Sequence, residues 1–98
     1  MTPLQGYQRK ALRELAHPLK PVVQVGISGL SEEVVEATNQ ALLDHELIKV
    51  RLHEPEDKRS MAEELAVRCD AHLCGLVGHT VILYKPHPEK PTIRVPQR

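Results

Sequence analysis

The residues best placed to do chemistry are Gly26-Ile27-Ser28-Gly29. They follow the apolar run Val22-Val23-Gln24-Val25 and lead into Ser31-Glu32-Glu33, a helix-start pattern. Two glycines between a strand and a helix let the backbone come close to a partner. The helix N-terminus behind them offers unpaired N–H groups and a positive dipole end. Together these are the elements of a phosphate-holding site. The plainer reading is a strand-to-helix turn whose glycines serve only backbone angles. The spacing does not suit a dinucleotide, which calls for G-x-G-x-x-G and a later acidic residue, nor a P-loop, which ends in Gly-Lys-Ser/Thr. A clamp on a nucleic-acid backbone asks only for close approach and N–H donors, and this loop can supply both.

Other groups compete for attention. Arg9 and Arg13 are four apart and share one helix face, with Lys10 beside them, and Lys20 follows. These cations precede the glycine loop closely, and Lys49 and Arg51 are candidates for the same side. The alternative is an ordinary solvated face. Cys69, His72, Cys74 and His79 are zinc-ligand types within a short stretch, but their spacing is not that of a paired C-x-x-C knuckle, so ordinary packing is expected and no metal. The six histidines are scattered, and no nucleophile motif such as G-x-S-x-G accompanies them. Neither an enzyme nor a cofactor is expected.

The chain has 98 residues, enough for one domain with a small core. It has no Trp and no Phe, and its only tyrosines are Tyr7 and Tyr84, so Leu, Val, Ile and Ala must build that core. Base stacking on an aromatic sheet is excluded for the same reason. Formal net charge is zero, but it is unevenly spread. Residues 1–24 carry Arg9, Lys10, Arg13 and Lys20 against Glu14, a net +3. Residues 25–84 have a net −6, and residues 85–98 return to +3. A positive face can therefore exist on a neutral protein. No apolar run approaches membrane-spanning length, and the N-terminus lacks a charged-then-apolar signal. A soluble cytoplasmic protein with reduced cysteines is expected.

The elements that must position these residues follow from periodicity. Leu4, Ala11, Leu12 and Leu15, joined by Tyr7, predict a helix over residues 3–17 that stops before Pro18. Val22, Val23 and Val25 predict a strand. Ser31 caps a second helix with Val34, Thr38, Ala41 and Leu42 as its stripe, ending near Asp44. Ile48, Val50 and Leu52 alternate with Lys49, Arg51 and His53, a half-buried strand with a basic outer face. Pro55 opens a third helix with Met61, Leu65, Ala66 and Cys69 inward. Residues 72–77 and 80–84 form a hairpin around Gly78-His79, where a leading glycine suits a type II′ turn. Residues 85–98 form a basic, proline-rich extended tail, and residues 1–84 the domain. The order α-β-α-β-α-β-β predicts an α/β (α+β) fold, a four-stranded mixed sheet with packed helices.

The stretch Leu15-Ala16-His17-Pro18-Leu19-Lys20-Pro21-Val22-Val23-Gln24-Val25-Gly26-Ile27-Ser28-Gly29-Leu30-Ser31 resembles the signature of the CRM domain, the chloroplast RNA splicing and ribosome maturation family. Two further segments, His45-Glu46-Leu47-Ile48-Lys49-Val50 and Val77-Gly78-His79-Thr80-Val81-Ile82-Leu83-Tyr84-Lys85-Pro86, are similar to the family in order and separation. A lone domain of this length looks like the bacterial YhbY-type members. The resemblance implies an RNA-binding module with a fold similar to the C-terminal domain of translation initiation factor three. It also implies a role with precursors of the large ribosomal subunit. Gly26 and Gly29 would be the loop glycines, with Ile27 and Ser28 at the tip, where many members carry Lys or Arg.

The expectation is a non-enzymatic, monomeric RNA-binding protein with no small-molecule substrate. It would hold structured large-subunit ribosomal RNA by its backbone through Gly26, Ile27, Ser28, Gly29, Arg9, Lys10, Arg13 and Lys20, with Lys49, Arg51 and Lys85 as further contacts. Contacts of this kind position RNA without reading bases. One rival is a protein-interaction module in which acidic helices, with Glu32, Glu33, Glu36, Glu63 and Glu64, bind a basic ribosomal protein. A second is a small enzyme using the glycine loop for a nucleotide.

Overall fold

The computed structural model describes residues 2–97. Three helices and four strands follow in the order α1 (Gly6–Ala16), β1 (Val23–Val25), α2 (Glu32–His45), β2 (Leu47–Leu52), α3 (Lys58–Arg68), β3 (His72–Val77) and β4 (Thr80–Tyr84). The strands make one mixed sheet in the order β1-β2-β4-β3. β1 runs parallel to β2, with Val25 opposite Leu52, while β2–β4 and β4–β3 are antiparallel.

Local chemistry explains where the elements begin. α1 starts three residues later than Pro3, because Gln5 takes the cap position and its N–H donates to Gln8 Oε1 at 2.9 Å. Ser31 caps α2 by accepting from the Val34 N–H at 3.3 Å. α3 is opened by Asp57, not by Pro55: its carboxylate accepts from the Ser60 N–H at 3.1 Å. Glu54 sits at a φ of 44° just before, so the chain is still turning at Pro55. Gly78 has a φ of 59° and His79 is not in that region, as a glycine-first hairpin turn requires.

The sheet buries two separate apolar clusters, one on each face. α2 and α3 cover one face, where Val25, Leu42, Ile48, Val50, Leu52, Leu65, Val81 and Leu83 are buried together. α1 covers part of the other, where Leu12 and Ala16 meet Leu47, Cys74, Ile82 and Tyr84. The period-two alternation of β2 and β4 sends consecutive residues to opposite clusters. In α1 the inward pair is Leu12 and Ala16, a spacing of four, which leaves Leu15 52% exposed. Val22 is likewise outside the core, at the open edge before β1.

Among the described residues beyond Tyr84 there is no helix or strand, yet this segment is tied to the body. We call residues 85–97 the strap. The Lys85 N–H donates to the Glu46 carbonyl at 2.8 Å. Ile93 and Val95 pack on the α1-side cluster, and Gln8 Nε2 donates to the Pro96 carbonyl at 3.0 Å. Among the described residues no helix is long and apolar enough to cross a membrane.

Candidate nucleic-acid interface

α1 covers only the end of its sheet face that carries Leu47, Ile82 and Tyr84. The other end stays open. Leu47, Lys49 and Arg51 alternate along one face of β2, so the residues that continue the apolar position of Leu47 are cations. Arg51 lies opposite Gln24 on one side and Thr80 on the other. α1 lines the remaining wall with Lys10, Arg13 and Glu14, and His17 adds to it at the helix C-cap. The result is a groove of about 780 Å³ whose four permanent cations, Lys10, Arg13, Lys49 and Arg51, are opposed by the single carboxylate of Glu14.

Two of those cations are held in place. Arg13 Nη1 donates to the Cys74 carbonyl at 2.8 Å, and its aliphatic stem lies across Gly75. A Cβ on Gly75 would come within 2.6 Å of Arg13 Cδ, so only glycine lets the arginine lie flat on β3. Lys49 Nζ donates to the His17 carbonyl at 3.1 Å, which ties the end of α1 to β2. Preset side chains lose less rotamer freedom when a partner arrives.

The glycine loop lies just past the end of β1, one residue beyond the Val25–Leu52 pair. The Gly29 N–H donates to the Gly26 carbonyl at 3.0 Å, closing a tight turn, and the Ser31 N–H donates to the Gly29 carbonyl at 3.0 Å. The Gly29 N–H is therefore spent inside the loop. Ser31 likewise uses one of the free donors of α2. Ile27 at the tip is 92% exposed. Gly29 needs to be glycine because its φ is 72°. Gly26 has no unusual φ, and a Cβ there would meet nothing within 4 Å, so none of the described residues demands glycine at that position. One side of the loop borders a bay lined by Glu54, Glu56, Asp57 and Glu64 together with His53.

The structure thus separates the sequence candidates into groups. Lys10, Arg13, Lys49 and Arg51 share the groove, while Gly26, Ile27, Ser28 and Gly29 sit beyond its β1 end. Arg9 turns away, donating to the Leu4 carbonyl and lining a different hollow with Asp70 and His72. Lys20 borders an apolar groove with Leu15, Leu19 and Val22. Lys85 Nζ donates to the Cys69 carbonyl at 3.1 Å, on the far side of the sheet. Sequence reasoning missed His17 and Thr80 as groove residues, because only the packing of α1 on the sheet and the strand order bring them together. The alternation around Arg51 was the available signal.

The cysteine–histidine stretch is dispersed by the fold. Cys69 is buried in the α2/α3-side cluster and Cys74 in the α1-side cluster. Burial pushes the Cys74 thiol up to about 11, against the pull of Arg13 and Arg9, so it stays protonated at neutral pH. Burial lowers the His72 pKa, and its ring stacks on Tyr84 with centroids 6.0 Å apart.

Comparison with known proteins adds a family. Residues 4–85 match the model of the CRS1/YhbY (CRM) domain. The chain is 41% identical over 87 residues to a Methanocaldococcus jannaschii protein named "Probable RNA-binding protein MJ0652", covering 85% of this chain and 64% of that relative, so it spans just under two thirds of the relative's length. It is 37% identical over 95 residues to "Probable RNA-binding protein YqeI" of Bacillus subtilis, covering 95% of this chain and 99% of the relative. The solution structure of the hypothetical protein SAV1595 from Staphylococcus aureus superposes with a TM-score of 0.83 at 32% identity, over 95% of this chain and 99% of that one. With the matched segment running from just before α1 to the end of β4, this chain belongs to the CRS1/YhbY (CRM) domain family.

Proposed function

We propose that this protein binds folded RNA through its sugar–phosphate backbone and acts in assembly of the large ribosomal subunit. The observation that carries the reading is the groove on the open half of the sheet. Four cations meet one carboxylate there, on a chain whose net charge is zero. Long-range attraction comes from that local field and not from overall charge. The names borne by the relatives support RNA as the ligand class. Without exposed aromatic rings on the sheet, the groove suits the shape and phosphates of a helix or compact fold better than unstacked bases. Gly26, with open space around it, gives a neighbouring strand room to approach the loop.

The test is fluorescence anisotropy with a structured large-subunit ribosomal RNA fragment, with duplex DNA of equal length as control and salt varied. The expected result is a preference for RNA that weakens steeply as salt rises. Absence of binding at low salt would defeat the reading.

A second reading rests on the acidic bay of Glu54, Glu56, Asp57 and Glu64 beside the exposed Ile27. A basic ribosomal protein would fit that surface. Ribosome-associated capture that survives nuclease treatment would favour it over the RNA groove.

A further inference from the structure

Glu46 is a carboxylate where a carboxylate is least expected. It is 3% exposed, and it occupies the C-terminal cap of α2 at a φ of 64°, a position that glycine fills at little cost. Burying a charge is costly unless hydrogen bonds replace its water. Among the described residues, the hydrogen-bond donors to its side chain all come from the strap. Oε2 accepts from the His87 N–H at 2.9 Å, and Oε1 accepts from the Thr92 N–H at 2.8 Å, the Ile93 N–H at 3.2 Å and the Thr92 hydroxyl. Three of these four donors are main-chain groups, so the carboxylate fixes the path of the strap more than its side chains.

That path leads to α1. After its turn on Glu46, the strap places Ile93 and Val95 against the cluster that holds Leu12 and Ala16, and its Pro96 carbonyl meets Gln8. One end of the strap is therefore anchored at the α2–β2 junction, and the other is anchored on the helix that forms one wall of the groove. We propose that Glu46 is a positioning residue for the groove: by latching the strap it seats α1, and with it Lys10 and Arg13, opposite Lys49 and Arg51. The consequence for binding rests on the reading that this groove takes RNA. The seating of α1 does not.

The experiment compares wild type with Glu46→Gly and Glu46→Gln. Glycine accepts the backbone angle, so the cap of α2 is kept while the latch is removed. Glutamine keeps one acceptor but turns a donor toward the strap, so it should fall between. Hydrogen exchange by NMR is read residue by residue, and RNA affinity is read against salt. For Glu46→Gly the expected result is roughly tenfold faster exchange at His87, Thr92, Ile93 and the α1 amides, while β2 amides in the main core hold. RNA affinity should fall, and the salt slope should become shallower by about 0.9 for each phosphate that Lys10 and Arg13 no longer neutralise. A change of slope in a fully folded variant is not something a general loss of stability produces.

Faster strap exchange with α1 exchange, affinity and slope all unchanged would overturn the proposal, and so would unchanged strap exchange. If wild type binds no RNA while α1 exchange still follows residue 46, the RNA reading fails and the seating of α1 stands.

Discussion

The two faces of the sheet do different work. On the face covered by α2 and α3, β2 contributes Ile48, Val50 and Leu52, all buried beneath the two helices. On the other face β2 contributes Leu47, Lys49 and Arg51, and only Leu47 is covered. One strand thus carries a complete core on one side and, on the other, half a core followed by a pair of cations. The cluster under α2 and α3 is the larger of the two. The smaller one spends its uncovered positions on charge, with α1 and the strap making up part of the loss.

That contrast can be broken at its strongest point by truncating each core. Leu65→Ala and Leu12→Ala should each cost about 2–5 kcal/mol of stability, read by urea denaturation followed by circular dichroism. Leu12→Ala should in addition weaken RNA binding in the folded protein, and Leu65→Ala should not. Equal effects on binding would erase the distinction between the faces. Next in size is a pair of charge removals. Arg51→Gln should make the salt slope of RNA binding shallower by about 0.9, whereas Lys85→Gln, on the far side, should leave it unchanged.

The cap of α2 tests the sealed face more gently. Ser31→Ala should lower the melting midpoint by the equivalent of about 1 kcal/mol, through loss of the bond from the Val34 N–H. The glycine pair separates conformation from RNA approach: Gly29→Ala should cost about 1 kcal/mol because of its positive φ, and Gly26→Ala should cost nothing measurable. Weaker RNA binding by folded Gly26→Ala would place the loop against the RNA.

The smallest effect should come from acid. Burial pushes the Glu46 carboxyl up, but hydrogen bonds from Thr92, His87 and Ile93 outweigh it and hold the group below its ordinary value of 4.5. With the strap released, the Glu46 carboxyl takes up a proton more readily than when latched, so this contribution is complete above about pH 4.5 and fades as pH falls through the lower folded value. Chemical shifts of the Thr92 and Ile93 amides, titrated downward in pH, should move before the shifts of β2 do. Simultaneous movement would show global acid unfolding instead.

Much of the fold was legible because its signals are local. The Ser31 cap, the Gly78-His79 turn and the alternation of β2 each involve neighbours a few positions apart, and the bounds of the 72–77 and 80–84 strands are as expected. The start of α3 was missed because Pro55 and Asp57 both suit a helix start, and only the backbone turn at Glu54 decides between them. The candidate site was legible in part. Spacing put Arg9 and Arg13 on one helix side, but the side chain of Arg9 reaches back to Leu4 while Arg13 reaches across to Cys74. The latch was illegible, since Glu46 and Thr92 lie 46 positions apart and nothing in a Glu before a strand announces burial.

Tyr84 has a practical consequence. The chain has no tryptophan and just two tyrosines, and Tyr84 is a buried phenol at the root of the strap, stacked on His72. The ultraviolet emission of the molecule is therefore shared between two rings, one of which sits where the strap leaves the sheet. Undocking of the strap should change the polarity and quenching around that ring, so the natural protein carries its own optical gauge of the latch and needs no attached dye.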